Sequence, residues 1–93
     1  MKREVVVLHG RVQGVGFRER VIEIALRHPI AGSVRNLRAG EALEIDVEGD
    51  DVAVDLFLSD VLAHPPYFGQ VETVTRETRA PLGAIGFTRA ISG

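Results

Sequence analysis

Apolar and polar residues in the first part of the chain follow two different periods, which predict strands separated by a helix. Glu4 to Val12 is rich in β-branched residues and its apolar run is continuous, which predicts a buried strand. From Phe17 onward, apolar residues recur at helical spacing. His28-Pro29 ends this helix, because a residue before proline avoids the α conformation. Ile30 to Asn36 then predicts a second, short strand.

The second part of the chain repeats this order. Ala42 to Glu48 alternates between apolar and acidic residues, which predicts a third strand with one buried and one solvated face. Gly49-Asp50-Asp51 offers an N-cap for a second helix, which Pro65-Pro66 ends. Val71 to Thr78 predicts a fourth strand, and Gly86 to Ile91 a short closing one. The apolar positions that outline the second helix are Val52, Leu56, Phe57 and Val61.

The predicted order β-α-β-β-α-β, followed by a short strand, corresponds to two split β-α-β units. Such units fold into an α+β, ferredoxin-like α/β sandwich. In it, one antiparallel sheet carries two helices on one face, here with a short extra C-terminal strand. A chain of 93 residues has room for one hydrophobic core, so we expect residues 1–93 to form a single domain.

Composition narrows the classes of function. The formal net charge is -2, so no global field attracts nucleic acid or an anionic membrane. The chain has no cysteine, which excludes thiolate metal sites and a cysteine nucleophile. The apolar run near the N-terminus is too short for a signal peptide, and no segment approaches the length of a membrane span. We therefore expect a cytoplasmic protein, a monomer, without a nucleic-acid or membrane partner.

The segment HGRVQGVGFRERV, residues 9–21, places three glycines just before the first predicted helix. It lacks the dinucleotide-binding spacing, because Glu19 stands where the third glycine would be. It also lacks the lysine and hydroxyl residue of a P-loop, since Phe17 and Arg18 follow the last glycine. A glycine-rich turn at a helix N-terminus nevertheless offers free N–H groups and the positive end of the helix dipole to a small anion.

Arg18 has no carboxylate at helical spacing, whereas Arg20 and Arg27 both have Glu23 three or four residues away. A cation near a helix N-terminus is unfavourable unless an anion joins it. The alternative is that the glycines only form a turn and that Arg18 is a solvated surface group. The missing partner favours Arg18 as part of an anion site.

The segment HGRVQGVGFR, together with Asn36 in GSVRNLRAG, resembles the signature of the acylphosphatase family. The likeness continues through VEGDDVAVDLFL, HPPYFGQVETV and the final GF, and so covers nearly the whole chain. It implies a ferredoxin-like fold and hydrolysis of acyl phosphates to carboxylate and inorganic phosphate, with phosphate as product and inhibitor. It further implies that Arg18 binds the phosphoryl group and that Asn36 positions the attacking water. The implied cradle backbone comes from Gln13, Gly14, Val15, Gly16 and Phe17.

The chain departs from the family pattern at three positions. Ser33 stands where an aromatic residue is usual, which predicts looser packing near the site. Ala39 replaces an aspartate, which predicts a weaker hairpin turn. Glu19 adds a negative charge near the anion, which predicts lower substrate affinity. These departures motivate one alternative, a catalytically silent phosphate-binding relative. A separate alternative is the excised acylphosphatase-like domain of a carbamoyl-transferring hydrogenase maturation protein.

The implied chemistry needs neither a metal nor a cofactor. The leaving group is a carboxylate, so no general acid is required, and backbone amides with Arg18 supply positive charge in place of Mg²⁺. No two histidines have metal-ligand spacing on one element, and we predict no metal. His28 and His64 are expected to cap the two helices, and His9 to be structural.

Two surface features have alternative interpretations. Arg35 and Arg38 flank Asn36 and either attract an anionic substrate or are simply solvated. The acidic residues of the third strand, Glu44, Asp46 and Glu48, are most simply its solvated face. RNA binding through the same topology is disfavoured, because the two central strands carry no aromatic residue.

Overall fold

A computed structural model describes residues 1–39 and 41–93, and it confirms the predicted order of elements. Each strand begins and ends within two residues of its predicted bounds. The elements are β1 (Lys2–Arg11), α1 (Phe17–Ala25), β2 (Ile30–Leu37), β3 (Ala42–Gly49), α2 (Asp51–Ala63), β4 (Gln70–Arg79) and β5 (Phe87–Arg89).

The strands form one sheet in the order β4-β1-β3-β2-β5. The first four are antiparallel to their neighbours, as a ferredoxin-like α/β sandwich requires. β5 instead lies parallel to β2, with Phe87 opposite Gly32, because residues 80–86 carry the chain from one edge of the sheet to the other. The sheet is therefore mixed, whereas the sequence predicted an antiparallel one with an unplaced extra strand.

The prediction that the first strand is buried on both faces was wrong. Val6 and Leu8 are each 1% exposed and belong to the core, while Val5 and Val7 on the other face are only half-buried. Both helices pack on one face of the sheet, and the opposite face lies partly open. A continuous apolar run therefore does not by itself show that both faces of a strand are covered.

The inward stripe of α2 also differs from the predicted one. Val52 and Leu56 were expected to outline the buried face, but they are 70% and 57% exposed. Asp50 is the N-cap residue of α2, but its side chain makes no capping hydrogen bond. The helix that follows buries a different face from the predicted one. That face consists of Ala53, Val54, Phe57, Leu58 and Val61.

The acidic residues of β3 are not a solvated face. Arg35 Nε donates to Glu44 Oε1 at 2.9 Å. Arg3 donates to both carboxylate oxygens of Asp46, at 2.9 and 2.8 Å. Both carboxylates are half-buried within these ion pairs. Alternation alone located the face correctly, but it carried no information about the arginines of neighbouring strands.

Glu48 is only 5% exposed, because the segment after β4 crosses over it. Its carboxylate accepts from the backbone N–H of Leu82 at 3.2 Å and of Gly83 at 2.9 Å. Burial opposes the charged form, but hydrogen bonds from Gly83, Ala84 and Leu82 outweigh it, so the pKa of Glu48 lies below its usual value. Glu48 thus fixes the crossing segment to the sheet.

Three chain connections meet at one end of the sheet. The pairing of His9 with Ala42 and of Ala42 with Leu37 brings the end of β1 beside the β2–β3 turn. The pairing of Arg11 with Gln70 adds the connection between α2 and β4. The glycine segment 12–16, which links β1 to α1, therefore lies at the end of the sheet that also holds Asn36 near the end of β2. In the described part of the chain, no helix is long and apolar enough to cross a membrane.

Candidate anion-binding and catalytic site

The glycine segment has a backbone that other residues adopt poorly. Gly14 and Gly16 have φ angles of +71° and +80°, in the left-handed region. A Cβ at either position would meet no atom within 4 Å, so the backbone is bare on that side. Gly10 differs, because a Cβ there would lie 2.3 Å from the carbonyl oxygen of Gln70. Gly10 therefore serves the contact between β1 and β4.

The start of α1 offers free backbone donors. Gly16 occupies the N-cap position and supplies no side-chain cap. Its carbonyl accepts from the N–H of Arg20 at 3.1 Å. Across the described ranges, no backbone N–H from residues 14 to 19 donates to a protein acceptor. Such donors, aligned with the positive end of the helix dipole, suit a small anion.

Gln13 holds this segment in place through its side chain. Its Nε2 donates to the carbonyl oxygen of Leu37 at 2.6 Å and to that of Ala42 at 2.9 Å. The two acceptors lie on β2 and β3, so one amide group ties the glycine segment to both strands of the hairpin. The sequence assigned Gln13 only to the cradle backbone and missed this role. The sequence did contain a signal for this role, because Gln13 is the one side chain between Val12 and Gly16 that can donate two hydrogen bonds.

Arg18 is half-buried, and its side chain makes no hydrogen bond or ion pair with the rest of the described structure. Arg20 and Arg27 lie 3.7 and 3.9 Å from the Glu23 carboxylate, as their spacing predicted. Arg20 also donates to the His64 carbonyl at 3.3 Å. The guanidinium of Arg18 thus remains available for a ligand.

Asn36 faces the helices from β2, opposite the buried Leu43. Its side-chain oxygen Oδ1 is buried and has no hydrogen-bond partner among the described residues. A buried acceptor without a donor costs about 1–3 kcal/mol, so such atoms usually have a partner. A donor such as a water molecule would satisfy this atom. Asn36 and the glycine segment share one end and one face of the sheet, linked through Gln13 and Leu37.

Of the departures from the family pattern, Ser33 lies away from the candidate site. Ser33 is opposite Asp46, on the face of the sheet away from Asn36. It lines a pocket of about 260 Å³ with Leu82 and Ile85, so the expectation of looser packing near the site was wrong. The predicted effect of Ala39 on the turn involves Gly40, which lies outside the described residues.

The charge of Glu19 is compensated. Nη2 of Arg89, on β5, donates a hydrogen bond to Oε1 of Glu19. The sequence placed Glu19 near the anion but missed Arg89, because 70 positions separate the two residues. No local pattern relates positions so far apart.

The histidines at the helix ends share one carboxylate. His64 Nδ1 lies 3.0 Å from the carbonyl oxygen of Asp60 and 2.8 Å from its Oδ1, so it caps the end of α2 as predicted. The His28 side chain does not cap its own helix, because its Nε2 reaches Asp60 Oδ2 at 2.9 Å on the other helix. Hydrogen bonds from His28 and then His64 lower the pKa of Asp60.

Two further observations concern titratable residues away from this site. His9 borders a pocket of about 370 Å³ with Arg11 and Glu72, beside the β1–β4 contact. In the residues that the structure describes, no group of three His, Asp or Glu side chains is arranged to hold a metal ion.

Comparisons with known proteins identify the family of the chain. The acylphosphatase family model matches residues 4–88. The acylphosphatase of Acidiphilium cryptum is 39% identical over 87 residues, which cover 94% of this chain and 93% of that protein. The crystal structure of acylphosphatase from Bacillus subtilis superimposes with a TM-score of 0.88 at 32% identity, covering 97% and 99% of the two chains.

The same fold also occurs inside a larger protein. Full-length HypF, in a phosphate- and nucleotide-bound crystal form, superimposes with a TM-score of 0.90 at 27% identity. The match covers 98% of this chain but only 12% of HypF.

Proposed function

Since this chain belongs to the acylphosphatase family, we propose that its glycine segment and Arg18 hold the phosphoryl group while Asn36 positions the attacking water. The activity of the enzyme is the hydrolysis of acyl phosphates to a carboxylate and inorganic phosphate. The observation that carries the proposed roles is the buried Oδ1 of Asn36, which has no hydrogen-bond partner in the part of the chain that the structure describes. An acceptor held in this state, at the same end of the sheet as a cluster of free donors, is suited to a water molecule that reacts with a bound anion.

The phosphoryl group carries its charge on three non-bridging oxygens. The free N–H groups of residues 14 to 19 and the guanidinium of Arg18 are donors that these oxygens require. In a loose phosphoryl-transfer transition state, the protein mainly orients the reactants and stabilises this charge. The side-chain amide of Gln13 is already committed to two carbonyls, so Gln13 contributes its position and backbone to the cradle.

The water needs orientation more than deprotonation. Oδ1 of Asn36 accepts one hydrogen of the water, which directs the water oxygen toward phosphorus. A bond forms from that oxygen to phosphorus, and the bond from phosphorus to the acyl oxygen breaks. The acyl oxygen leaves as a carboxylate, which needs no proton at neutral pH. The water proton passes to a phosphate oxygen or to solvent.

The arginines that flank Asn36 do not share its environment. The Arg35 guanidinium is paired with the Glu44 carboxylate. Both side chains lie on the face of the sheet opposite to that of Asn36. The charge of Arg35 is therefore already compensated. Arg38 lies exposed beside the turn, where general attraction of an anionic substrate is the remaining role we assign to it.

The finer aspects of the proposal follow from the same residues. We infer a single domain, active as a cytoplasmic monomer, that uses no metal or cofactor and is inhibited by its product phosphate. A cradle made of amide groups and a guanidinium supports catalysis without a metal, because these groups already provide the required positive charge.

The test compares wild type with Asn36→Ala and Ser33→Ala in hydrolysis of benzoyl phosphate, followed by ultraviolet absorbance in excess chelator. Ser33→Ala is the matched control, because it changes a polar residue of the same strand on the opposite face. We expect Asn36→Ala to lower kcat by about 100-fold or more with little change in phosphate affinity. A change in KM alone would reassign Asn36 to substrate binding.

A second reading is a domain that binds phosphate without hydrolysing acyl phosphates by itself. The match to 12% of HypF favours it, since there the fold is one part of a larger protein. Binding of inorganic phosphate by wild type in titration calorimetry, without turnover of benzoyl phosphate in the same hydrolysis assay, would support this interpretation.

A further inference from the structure

The ion pair between Glu19 and Arg89 lies next to the proposed site. Glu19 follows Arg18 in the first turn of α1, where a carboxylate is favoured by the helix dipole but repels a bound phosphate. Its Oε1 accepts from Nη2 of Arg89. Both side chains are about half exposed, so the pair contributes little to stability. Its effect on charge near the site is the more important property.

The position of Arg89 follows from the sheet. Arg89 is the last residue of β5 and pairs with Val34, which lies two residues before Asn36 on the same face of β2. Spacings of about 4.8 Å between strands and 3.3 Å per residue place the Cα atoms of Arg89 and Asn36 roughly 8 Å apart. α1 packs against both β2 and β5. The pair therefore joins α1 to β5, beside the strand that carries Asn36.

We propose that Arg89 is a positioning residue that keeps the Glu19 carboxylate on the β5 side of α1 and so leaves Arg18 free to bind phosphate. This inference rests on the proposed function, because it assigns the anion to Arg18. Arg89 is the one arginine paired with Glu19 among the described residues, and Arg18, the neighbour of Glu19 in sequence, has no side-chain partner there. Glu23, the other carboxylate of α1, does not compete for Arg18, because it is already paired with Arg20 and Arg27.

The test measures the dissociation constant of inorganic phosphate by isothermal titration calorimetry, and the KM for benzoyl phosphate, at low ionic strength. We expect Arg89→Met to raise both about two- to fivefold, with kcat unchanged. The double variant Glu19→Gln/Arg89→Met is expected to return to the wild-type values, since no carboxylate then remains to occupy Arg18. Salt should reduce the effect of Arg89→Met, because the interaction is between exposed charges.

Arg79→Met is the matched control. Arg79 forms a similarly exposed ion pair, with Glu77 at 2.9 Å, at the opposite end of the sheet, and its removal changes the net charge equally. We expect its phosphate affinity to equal that of wild type.

The outcomes separate the inference from the proposed function. If Arg89→Met binds phosphate normally while wild type hydrolyses benzoyl phosphate, the inference fails and the function stands. If the double variant binds as weakly as Arg89→Met, Arg89 acts through its own charge and the inference also fails. If wild type binds no phosphate and hydrolyses no acyl phosphate, both are overturned.

Discussion

Arg18 and Asn36 share a property at the scale of single residues, since each presents polar atoms that the described protein does not satisfy. Their sequence neighbours Glu19 and Arg35 are paired instead, Glu19 with Arg89 and Arg35 with Glu44. Unsatisfied groups lower the free energy of unfolding, so their concentration at one end of the sheet is consistent with a ligand that satisfies them. The contrast between these two residues and their neighbours is what distinguishes the site.

Replacement of Arg18 tests the anion-binding half of this arrangement. Arg18→Ala should weaken inorganic phosphate binding by about 100-fold or more, because a charge-assisted, two-pronged contact is lost. Arg18→Lys should retain part of the affinity through its charge alone. Titration calorimetry measures both, with Arg27→Ala as control on the same helix. Normal phosphate binding by Arg18→Ala would show that the anion lies elsewhere.

At the scale of elements, Gln13 connects the glycine segment to the hairpin that carries Asn36. The two halves of the proposed site come from different elements, and their relative position depends on side-chain hydrogen bonds as well as on packing. A small displacement between a bound phosphoryl group and its water is sufficient to slow the reaction strongly. Gln13 is therefore expected to affect catalysis without touching the substrate through its side chain.

Gln13→Ala should lower the free energy of unfolding by about 1–3 kcal/mol, because the carbonyl oxygens of Leu37 and Ala42 lose their donor. It should also lower kcat by about tenfold. Denaturant unfolding and benzoyl phosphate hydrolysis measure the two effects. Gln70→Ala removes an exposed amide at the same end of the sheet and should change neither. A stable Gln13→Ala enzyme with full activity would contradict the proposed link.

The elements themselves were predictable from the sequence because each depends on local patterns. Alternation located β3 and β4, and Pro29 and Pro65 marked the ends of the helical patterns. The faces were less predictable. α2 is apolar around much of its circumference, so the sequence could not select Val54 over Leu56 as the buried side chain. That choice depends on where the neighbouring sheet lies, which is a tertiary property.

The same distinction applies to the candidate site. Glycine spacing and the unpaired Arg18 were readable along the chain, because they concern residues close in sequence. The contacts of Gln13 with Leu37 and of Glu19 with Arg89 were not, because they join residues 24 and 70 positions apart. Side chains on different elements come together only through the fold, and a single sequence contains no direct signal of that.

At the scale of the whole molecule, Glu4 joins three elements. It is a buried carboxylate on β1, and Arg76 on β4 donates to both its oxygens at 2.8 and 2.6 Å. Arg76 also donates to Asp55 on α2 at 3.1 Å. Hydrogen bonding from Arg76 outweighs the opposing effect of burial and, with a smaller contribution from Lys2, lowers the pKa of Glu4. Sheet and helix are thus connected by a network that requires ionised carboxylates.

This network predicts part of the acid sensitivity of the enzyme. Because the pKa of Glu4 is lower in the folded state than in the unfolded chain, its contribution to stability is fully present above about pH 4.5. It is lost as the pH falls through the folded-state pKa. Glu4→Gln should therefore be less stable at neutral pH, with a shallower loss of stability below about pH 4.5. Urea unfolding across this range measures both.

Glu72→Gln is the control for this titration, since Glu72 is exposed on β4 and forms no ion pair with the described residues. Its pH dependence should match that of wild type. If Glu4→Gln lost stability with pH as steeply as wild type, the carboxylates responsible for acid unfolding would lie outside this network.

The position of β5 has a consequence for self-association. β5 and the segment that follows it hydrogen-bond along β2, through Ala90 N–H to Val34 at 2.9 Å and Gly93 N–H to Asn36 at 3.0 Å. The strand that carries Asn36 is thereby shielded from pairing with another molecule. β4 is left at the other border of the sheet, where its ten residues include Glu72, Arg76, Glu77 and Arg79. Charged side chains on an edge strand discourage the addition of a strand from another molecule. Among the described strands, β4 is the only long edge strand, and its charges therefore protect the enzyme against growth into fibrils.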